Sequence, residues 1–118
     1  MLAMMAAEAT PQQEPLRGLG IGDRTYRGRA CVVGDAADAA ERLEEGDVLI
    51  TAFTGPAFNS LLPIVGALVV EEGGAMSHAA IVAREYGIPA IIGAAGATSL
   101  TTGDTVEVDP LAGVIRMV

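Results

Sequence analysis

The chain has 118 residues, of which 51% are hydrophobic, so it can form one packed core but is too short for two ordinary domains. Its net charge is −8, its seven basic residues are all Arg, and only 3% of its residues are aromatic. This composition excludes a nucleic-acid-binding protein, whose surface needs a basic patch and aromatic side chains on which bases stack. The chain has no Lys and therefore no Walker-type phosphate loop, whose lysine contacts the nucleotide phosphates.

The N-terminal segment, residues 1–16, mixes Ala, Met, Gln, Glu and Pro without a sustained period. It is predicted to be a flexible tail or linker, and residues 17–118 are predicted to form the domain. The apolar run of this segment is too short for a signal peptide or a membrane span, so we expect no membrane partner. Cys31 is the only cysteine and lies in an apolar run, which favours a buried position, no disulfide and a cytoplasmic location.

The first predicted elements follow a Gly-rich segment at Gly18–Asp23. This segment lacks the third glycine of a dinucleotide-binding fingerprint, so we interpret it as an approach to the first strand. Arg27–Val33 has the pattern of a strand, and Asp35–Glu45 has that of a short helix with apolar residues on one face. The charges of this helix predict a solvated face, and with one His and one Cys in the chain we expect no metal site.

Apolar runs predict the remaining strands, and a turn-rich segment follows the first of these runs. Thr54-Gly55-Pro56 is a turn that could start a short helix over Ala57–Leu62. Pro63 is expected to end that helix. The predicted strands are Asp47–Ala52, Ala67–Glu71, Ala90–Gly93, Thr105–Val108 and Gly113–Met117.

A second helix is predicted around the only histidine of the chain, His78. Gly73 and Gly74 form a tight turn, Ser77 is the expected N-cap, and Gly87 is the expected end of the helix. His78 therefore occupies the first turn. Strand, glycine loop, helix and strand make a βαβ-type unit, whose loop lies at the carboxyl end of a strand, where open α/β sheets commonly bind ligands.

The first-turn position of His78 has chemical consequences. The N–H groups there lack intrahelical partners and the helix dipole is positive, so a bound anion such as phosphate is favoured. The same field favours the neutral imidazole, whose unprotonated nitrogen is a nucleophile. Gly73 and Gly74 have no Cβ and would let the backbone approach a phosphoryl group. These features predict a histidine that accepts a phosphoryl group.

The segment around His78 resembles the signature of a known family. It is similar to the phosphohistidine, or swivelling, domain of phosphoenolpyruvate (PEP)-utilising enzymes, such as PEP synthase, pyruvate phosphate dikinase and rifampicin phosphotransferase. The likeness extends from about Gly18 to the C-terminus. The matching residues are Gly73-Gly74, Ser77–Ile81, Ala83–Glu85, Gly87–Ala90, Gly46–Ile50, Gly103–Asp109 and Gly113.

The resemblance implies an α/β fold of the three-layer β/β/α swivelling type and a phosphocarrier function. His78 would be transiently phosphorylated, while Gly73, Gly74 and Ser77 would shape its loop. Ser77 could act as the N-cap, contact a phosphate oxygen, or do both. Arg84 matches the arginine of the motif and could bind a partner or a substrate phosphate, or form a surface salt bridge.

By the same resemblance, the phosphoryl group would move between a nucleotide or PEP site and an acceptor site on partner domains or subunits. The chain itself would bind no cofactor, and ATP or PEP with Mg²⁺ would be bound by those partners. We therefore expect a phosphotransferase domain that turns over no substrate alone. Met76 stands where dikinases and PEP synthases tend to carry Thr, so regulation or phosphate binding through that hydroxyl would be missing here.

Two alternatives remain open at this point. The chain could be a non-catalytic interaction module that retains the swivelling fold, with His78 merely a helix-start residue. It could also be a swivelling domain of the aconitase kind, which uses no phosphohistidine, although the Gly-Gly-x-x-Ser-His run argues against this. The chemical reactivity of His78 discriminates between these possibilities.

Overall fold

The computed structural model describes residues 15–118, so the predicted tail lies outside the described residues except for Pro15 and Leu16. Strand pairing begins at Leu16, which is opposite Ile115. The helices and strands are β1 (Leu16–Arg17), β2 (Leu19–Ile21), β3 (Tyr26–Val32), α1 (Ala36–Arg42), β4 (Val48–Thr51), β5 (Ala67–Val70), α2 (His78–Tyr86), β6 (Ala90–Ile92), β7 (Thr105–Asp109) and β8 (Val114–Met117). The six predicted strands and two of the three predicted helices are confirmed, with ends that differ by at most three residues.

One mixed sheet carries the fold. Its strand order is β1-β8-β7-β3-β4-β5-β6-β2, in which β3 to β6 run parallel and the outer strands pair antiparallel. Strands β6 and β7 are four places apart in this order yet lie in contact, because the sheet curls into a nearly closed barrel. The fold is thus a sheet-dominated α/β fold, in agreement with the predicted class.

The central strands β4 and β5 are buried on both faces, which explains their continuous apolar sequences. On one face, Leu49 and Leu68 belong to a cluster that includes the small residues of α2. On the other face, Val48 and Val69 pack in a cluster with residues of β7 and β8. Both clusters consist mainly of Ala, Val, Ile and Leu, as the low aromatic content of the chain requires.

Two local predictions are wrong. The predicted helix over Ala57–Leu62 is replaced by two 3₁₀ turns, Pro56–Phe58 and Leu62–Ile64. Pro63 lies in the first turn of the second of these and does not end a helix, because an N–H at that position would have no acceptor within the turn.

The Gly-rich approach is the second wrong prediction, since it contains strand β2, which pairs with β6. A Cβ on Gly20 would lie 1.8 Å from the carbonyl oxygen of Pro110, so glycine is required where this strand passes that turn.

Candidate functional site

The loop before α2 holds the histidine as the sequence predicts. Ser77 is the N-cap, and its Oγ accepts a hydrogen bond from the N–H of Ala80 at 3.3 Å. Gly87 ends the helix in the left-handed conformation, and its N–H donates to the carbonyl oxygen of Ala83. His78 is therefore the first residue of α2, and the predicted ends of this helix are confirmed.

The two glycines of the loop differ in what the backbone requires of them. Gly73 has φ of +115°, and a Cβ there would lie 2.9 Å from both Cβ and Oγ of Ser77. Gly74 has no such constraint, because a Cβ there would meet nothing within 4 Å. The contribution of Gly74 is its carbonyl oxygen, which accepts from the N–H and the Oγ–H of Ser77 at 3.1 and 2.8 Å. Sterically, only Gly73 must be glycine.

Both ring nitrogens of His78 have a side-chain partner. Nδ1 lies 2.9 Å from Oγ1 of Thr54, which is buried. Nε2 lies 3.1 Å from Oδ1 of Asn59, which is exposed. Nδ1 therefore faces the protein interior and Nε2 faces the surface, so a reactant from outside would approach the ring from the side of Nε2.

Thr54 and Asn59 were missed as site residues in the sequence. They are 24 and 19 residues from His78 in the chain and belong to the segment after β4. The available signal was topological, because β4 and β5 are parallel neighbours and their carboxyl ends meet at one edge of the sheet. Polar residues after β4 therefore lie beside the loop that follows β5.

His78 lies on a shallow pocket of about 240 Å³. The lining residues are Phe53, Thr54, Glu72, Gly73, Ser77, His78 and Ala79. Among these, Glu72 is the only carboxylate and none is Lys or Arg. The first-turn N–H groups of His78 and Ala79 have no acceptor within the helix. The pocket thus offers backbone donors to an anion but no cationic side chain.

Ser77 and Arg84 both stabilise the loop. The hydroxyl of Ser77 donates to Gly74 and accepts from Ala80, so its N-cap role is present without any ligand. The guanidinium of Arg84 donates from Nη1 to the carbonyl oxygen of Ala75 at 2.8 Å. Within residues 15–118 this replaces the surface salt bridge that was one sequence-based possibility. Arg84 therefore connects the body of α2 to the loop that precedes it.

Glu71 fixes the other end of the loop, directly after β5. Its carboxylate accepts hydrogen bonds from the N–H of Thr98 at 2.7 Å and from the Thr98 hydroxyl. These bonds favour the ionised form and hold the pKa of Glu71 below its usual value. Thr98 lies in the 3₁₀ turn Ala97–Ser99, so the start of the loop is attached to the segment after β6.

Three further observations concern metal ligands, membrane spans and exposed side chains. The described part of the chain contains no group of three or more His, Cys, Asp or Glu side chains arranged to hold a metal ion. None of its helices has both the length and the apolar character needed to cross a membrane. Met76 and Phe53, beside the histidine, are 82% and 64% exposed.

Comparison with known proteins gives the same sequence region a family context. Residues 43–113 match the family model of the "PEP-utilising enzyme, mobile domain". A "Probable phosphoenolpyruvate synthase" of Pyrococcus abyssi is 44% identical over 101 residues, which are 85% of this chain and 12% of that protein. A "Rifampicin phosphotransferase" of Streptomyces sviceus is 48% identical over 83 residues, which are 70% of this chain and 9% of that protein. The chain spans about a tenth of the length of these curated relatives.

Solved structures are also similar to this chain. An NMR structure of an Enzyme I protein has a TM-score of 0.55 at 35% identity and covers 64% of this chain and 32% of its own. Aconitase X from Thermococcus kodakaraensis, in its holo-form, has a TM-score of 0.61 and covers 90% of this chain and 99% of its own. Its identity is only 17%, so this second likeness concerns the fold alone.

Proposed function

The chain belongs to the family of PEP-utilising enzyme mobile domains, and from this premise we propose that it is a phosphocarrier domain in which His78 is transiently phosphorylated. Its relatives are much longer phosphotransferases, so we propose that the group is relayed between a nucleotide or PEP site and an acceptor site on partner domains. The observation that carries this proposal is the ring of His78 at the start of α2, with Nδ1 held from inside and Nε2 facing the surface.

We propose that residues 17–118 act as one swivelling unit of the three-layer β/β/α type. The two apolar clusters on opposite faces of the central strands support this layering, since one includes α2 and the other includes β7 and β8. The pairing of β1 with β8 supports including the start of this range in the unit.

The chemistry requires a lone pair on Nε2 of His78. In the reactive form, the ring proton is on Nδ1 and is donated to Oγ1 of Thr54, which can act as donor or acceptor. Nε2 attacks phosphorus, the N–P bond forms, and the bond from phosphorus to the leaving oxygen breaks with its electron pair going to that oxygen. The Nδ1 proton stays on the ring, which makes the ring a good leaving group when the phosphoryl group moves on.

The absence of cationic side chains from the pocket lining supports the proposal that partner domains supply the positive charge. A phosphoryl group on His78 would meet the backbone N–H groups of the first turn, but no Lys or Arg lines this pocket and Glu72 carries a negative charge there. We therefore assign the neutralising cations, the nucleotide or PEP, and Mg²⁺ to the partner domains. In this proposal the chain alone turns over no substrate.

The supporting residues act on the loop. Gly73 allows the backbone conformation, the carbonyl of Gly74 holds Ser77, and Ser77 caps the helix. Arg84 holds the loop through Ala75. We propose that these residues fix the position of the imidazole relative to Thr54, which is what a repeated transfer in two directions needs.

Chemical phosphorylation tests the proposal without any partner. The purified chain is incubated with phosphoramidate, a small phosphoryl donor, and its intact mass is measured beside that of His78→Ala. We expect one acid-labile phosphoryl group on the wild type and none on the variant. If the wild type stays unmodified while its fold is intact, the chain is a non-catalytic interaction module.

A further inference from the structure

The side-chain amide of Asn59 lies against Nε2 of His78, the nitrogen that the proposed reaction needs. Asn59 follows the 3₁₀ turn Pro56–Phe58 as its C-cap, and its side chain is exposed. The amide Oδ1 lies 3.1 Å from Nε2 of His78. An amide oxygen can only accept a hydrogen bond, so Nε2 carries the proton in this arrangement. The hydroxyl of Thr54 then donates to Nδ1 at 2.9 Å.

In this arrangement the ring of His78 cannot attack a phosphoryl group. The lone pair is on Nδ1, which faces the buried Thr54, and the outward Nε2 has none. The hydrogen-bond pattern is thus the reverse of the one that the phosphocarrier reaction requires. Of the two partners, the Thr54 hydroxyl can serve both patterns because it is donor and acceptor. Asn59 with Oδ1 toward Nε2 stabilises only the unreactive one, and its amide must rotate before the reactive one can form.

We propose that Asn59 is a masking residue, whose amide oxygen holds His78 in the tautomer that is not nucleophilic at Nε2 until Asn59 turns away. This inference rests on the proposed function of His78. Release needs only rotation of one exposed side chain. The ring proton then leaves Nε2 for water and another is taken up at Nδ1, while the Thr54 hydroxyl changes from donor to acceptor. No net proton is gained or lost.

The arrangement has a mechanical consequence for the relay. Asn59 is the exposed C-cap of the first of two short 3₁₀ turns, whereas His78 belongs to α2 and Thr54 is buried between β4 and this turn. A partner domain that brings a phosphoryl donor to Nε2 must occupy the position of the Asn59 amide. Uncovering of the nucleophile is thereby coupled to docking, and the unoccupied carrier is protected from reaction with other phosphoryl donors.

The test compares Asn59→Ala with the matched control Ser60→Ala, whose side chain is exposed and makes no hydrogen bond with residues 15–118. The ring ¹⁵N shifts of His78 in alkaline solution give the tautomer populations, and phosphoramidate gives the initial rate of phosphorylation. In Asn59→Ala we expect a smaller fraction of the Nε2–H tautomer and a rate that rises about fivefold, the factor for one neutral hydrogen bond. Ser60→Ala should match the wild type.

A second variant separates masking from a loss of structure. Asn59→Asp keeps an oxygen acceptor next to Nε2, so it should retain the Nε2–H tautomer and stay slow. Masking is overturned if Asn59→Ala leaves tautomer and rate unchanged, if it lowers the rate, or if Asn59→Asp reacts as fast as Asn59→Ala. If the tautomer shifts as expected but no variant forms phosphohistidine, the Asn59 contact stands and the phosphocarrier function is what fails.

Discussion

The hydroxyl oxygen of Thr54 lies 2.9 Å from Nδ1 of His78 and fixes the inner edge of the imidazole. Thr54 is buried and comes from the segment after β4, whereas His78 starts the helix after β5. The two residues meet because β4 and β5 are parallel neighbours in the sheet. The ring is thus oriented from its Nδ1 edge by the segment after β4, a strand that does not carry the histidine.

Replacing Thr54 with Val removes this hydrogen bond while keeping the side-chain shape. Either tautomer then loses its partner at Nδ1 and the ring loses the contact that orients it, so we expect phosphorylation of His78 by phosphoramidate to slow by up to about tenfold. Thr54→Ser should restore most of the rate, because it returns the hydroxyl. Equal rates in wild type and Thr54→Val would show that the ring is oriented by something else.

The two loop glycines form a matched pair. Gly73→Ala forces a Cβ into a backbone with φ of +115° and against Ser77, so we expect a loss of about 1–3 kcal/mol in the free energy of unfolding and a slower phosphorylation. Gly74→Ala should stay within about 0.5 kcal/mol of the wild type, since nothing lies within 4 Å of its Cβ. Urea unfolding measures both, and equal stabilities would contradict the loop geometry.

The ionised carboxylate of Glu71 is expected to make the free energy of unfolding sensitive to acid. Hydrogen bonds from Thr98 lower its folded-state pKa below 4.5, so its stabilising contribution is present above about pH 4.5 and is lost as the pH falls through the folded pKa. The difference in unfolding free energy between wild type and Glu71→Gln should therefore shrink in acid. Thr98→Val should weaken the same dependence. Parallel pH profiles for wild type and Glu71→Gln would be inconsistent with this role.

Cys31 is predicted to be chemically inert in the folded chain. It is fully buried, as its apolar sequence context predicts, and burial raises the pKa of its thiol, so the nucleophilic thiolate is not populated at neutral pH. We expect negligible reaction with Ellman's reagent in native buffer and full reaction in guanidinium chloride. Fast, stoichiometric modification of the native chain would contradict this.

The sequence predicted those parts of the site that depend on residues close together in the chain. A helix start at Ser77 and an end at Gly87 follow from residues within one turn of each terminus, so both were readable from the sequence. Thr54 and Asn59 contact His78 across more than a dozen residues of chain, and no local pattern encodes such a contact. They become visible only when the strand order is known.

The same distinction explains the fold. The ends of the apolar strands were predicted to within one residue, because burial on both faces leaves a continuous pattern. Strand β2 was missed, since it has three residues with Gly20 at its centre, where the chain passes against Pro110. Pro63 was misread because proline is compatible with the first turn of a 3₁₀ segment as well as with the end of a helix.

The most direct test of the central claim identifies the phosphorylated atom. The ¹⁵N-labelled chain is treated with phosphoramidate and examined by ³¹P and ¹⁵N NMR, with His78→Ala as the control. We predict one acid-labile phosphorus signal, coupled to Nε2 of His78 and absent from the variant. Absence of this signal from the folded wild type, or its persistence in His78→Ala, would contradict the assignment of His78 as the phosphoryl carrier.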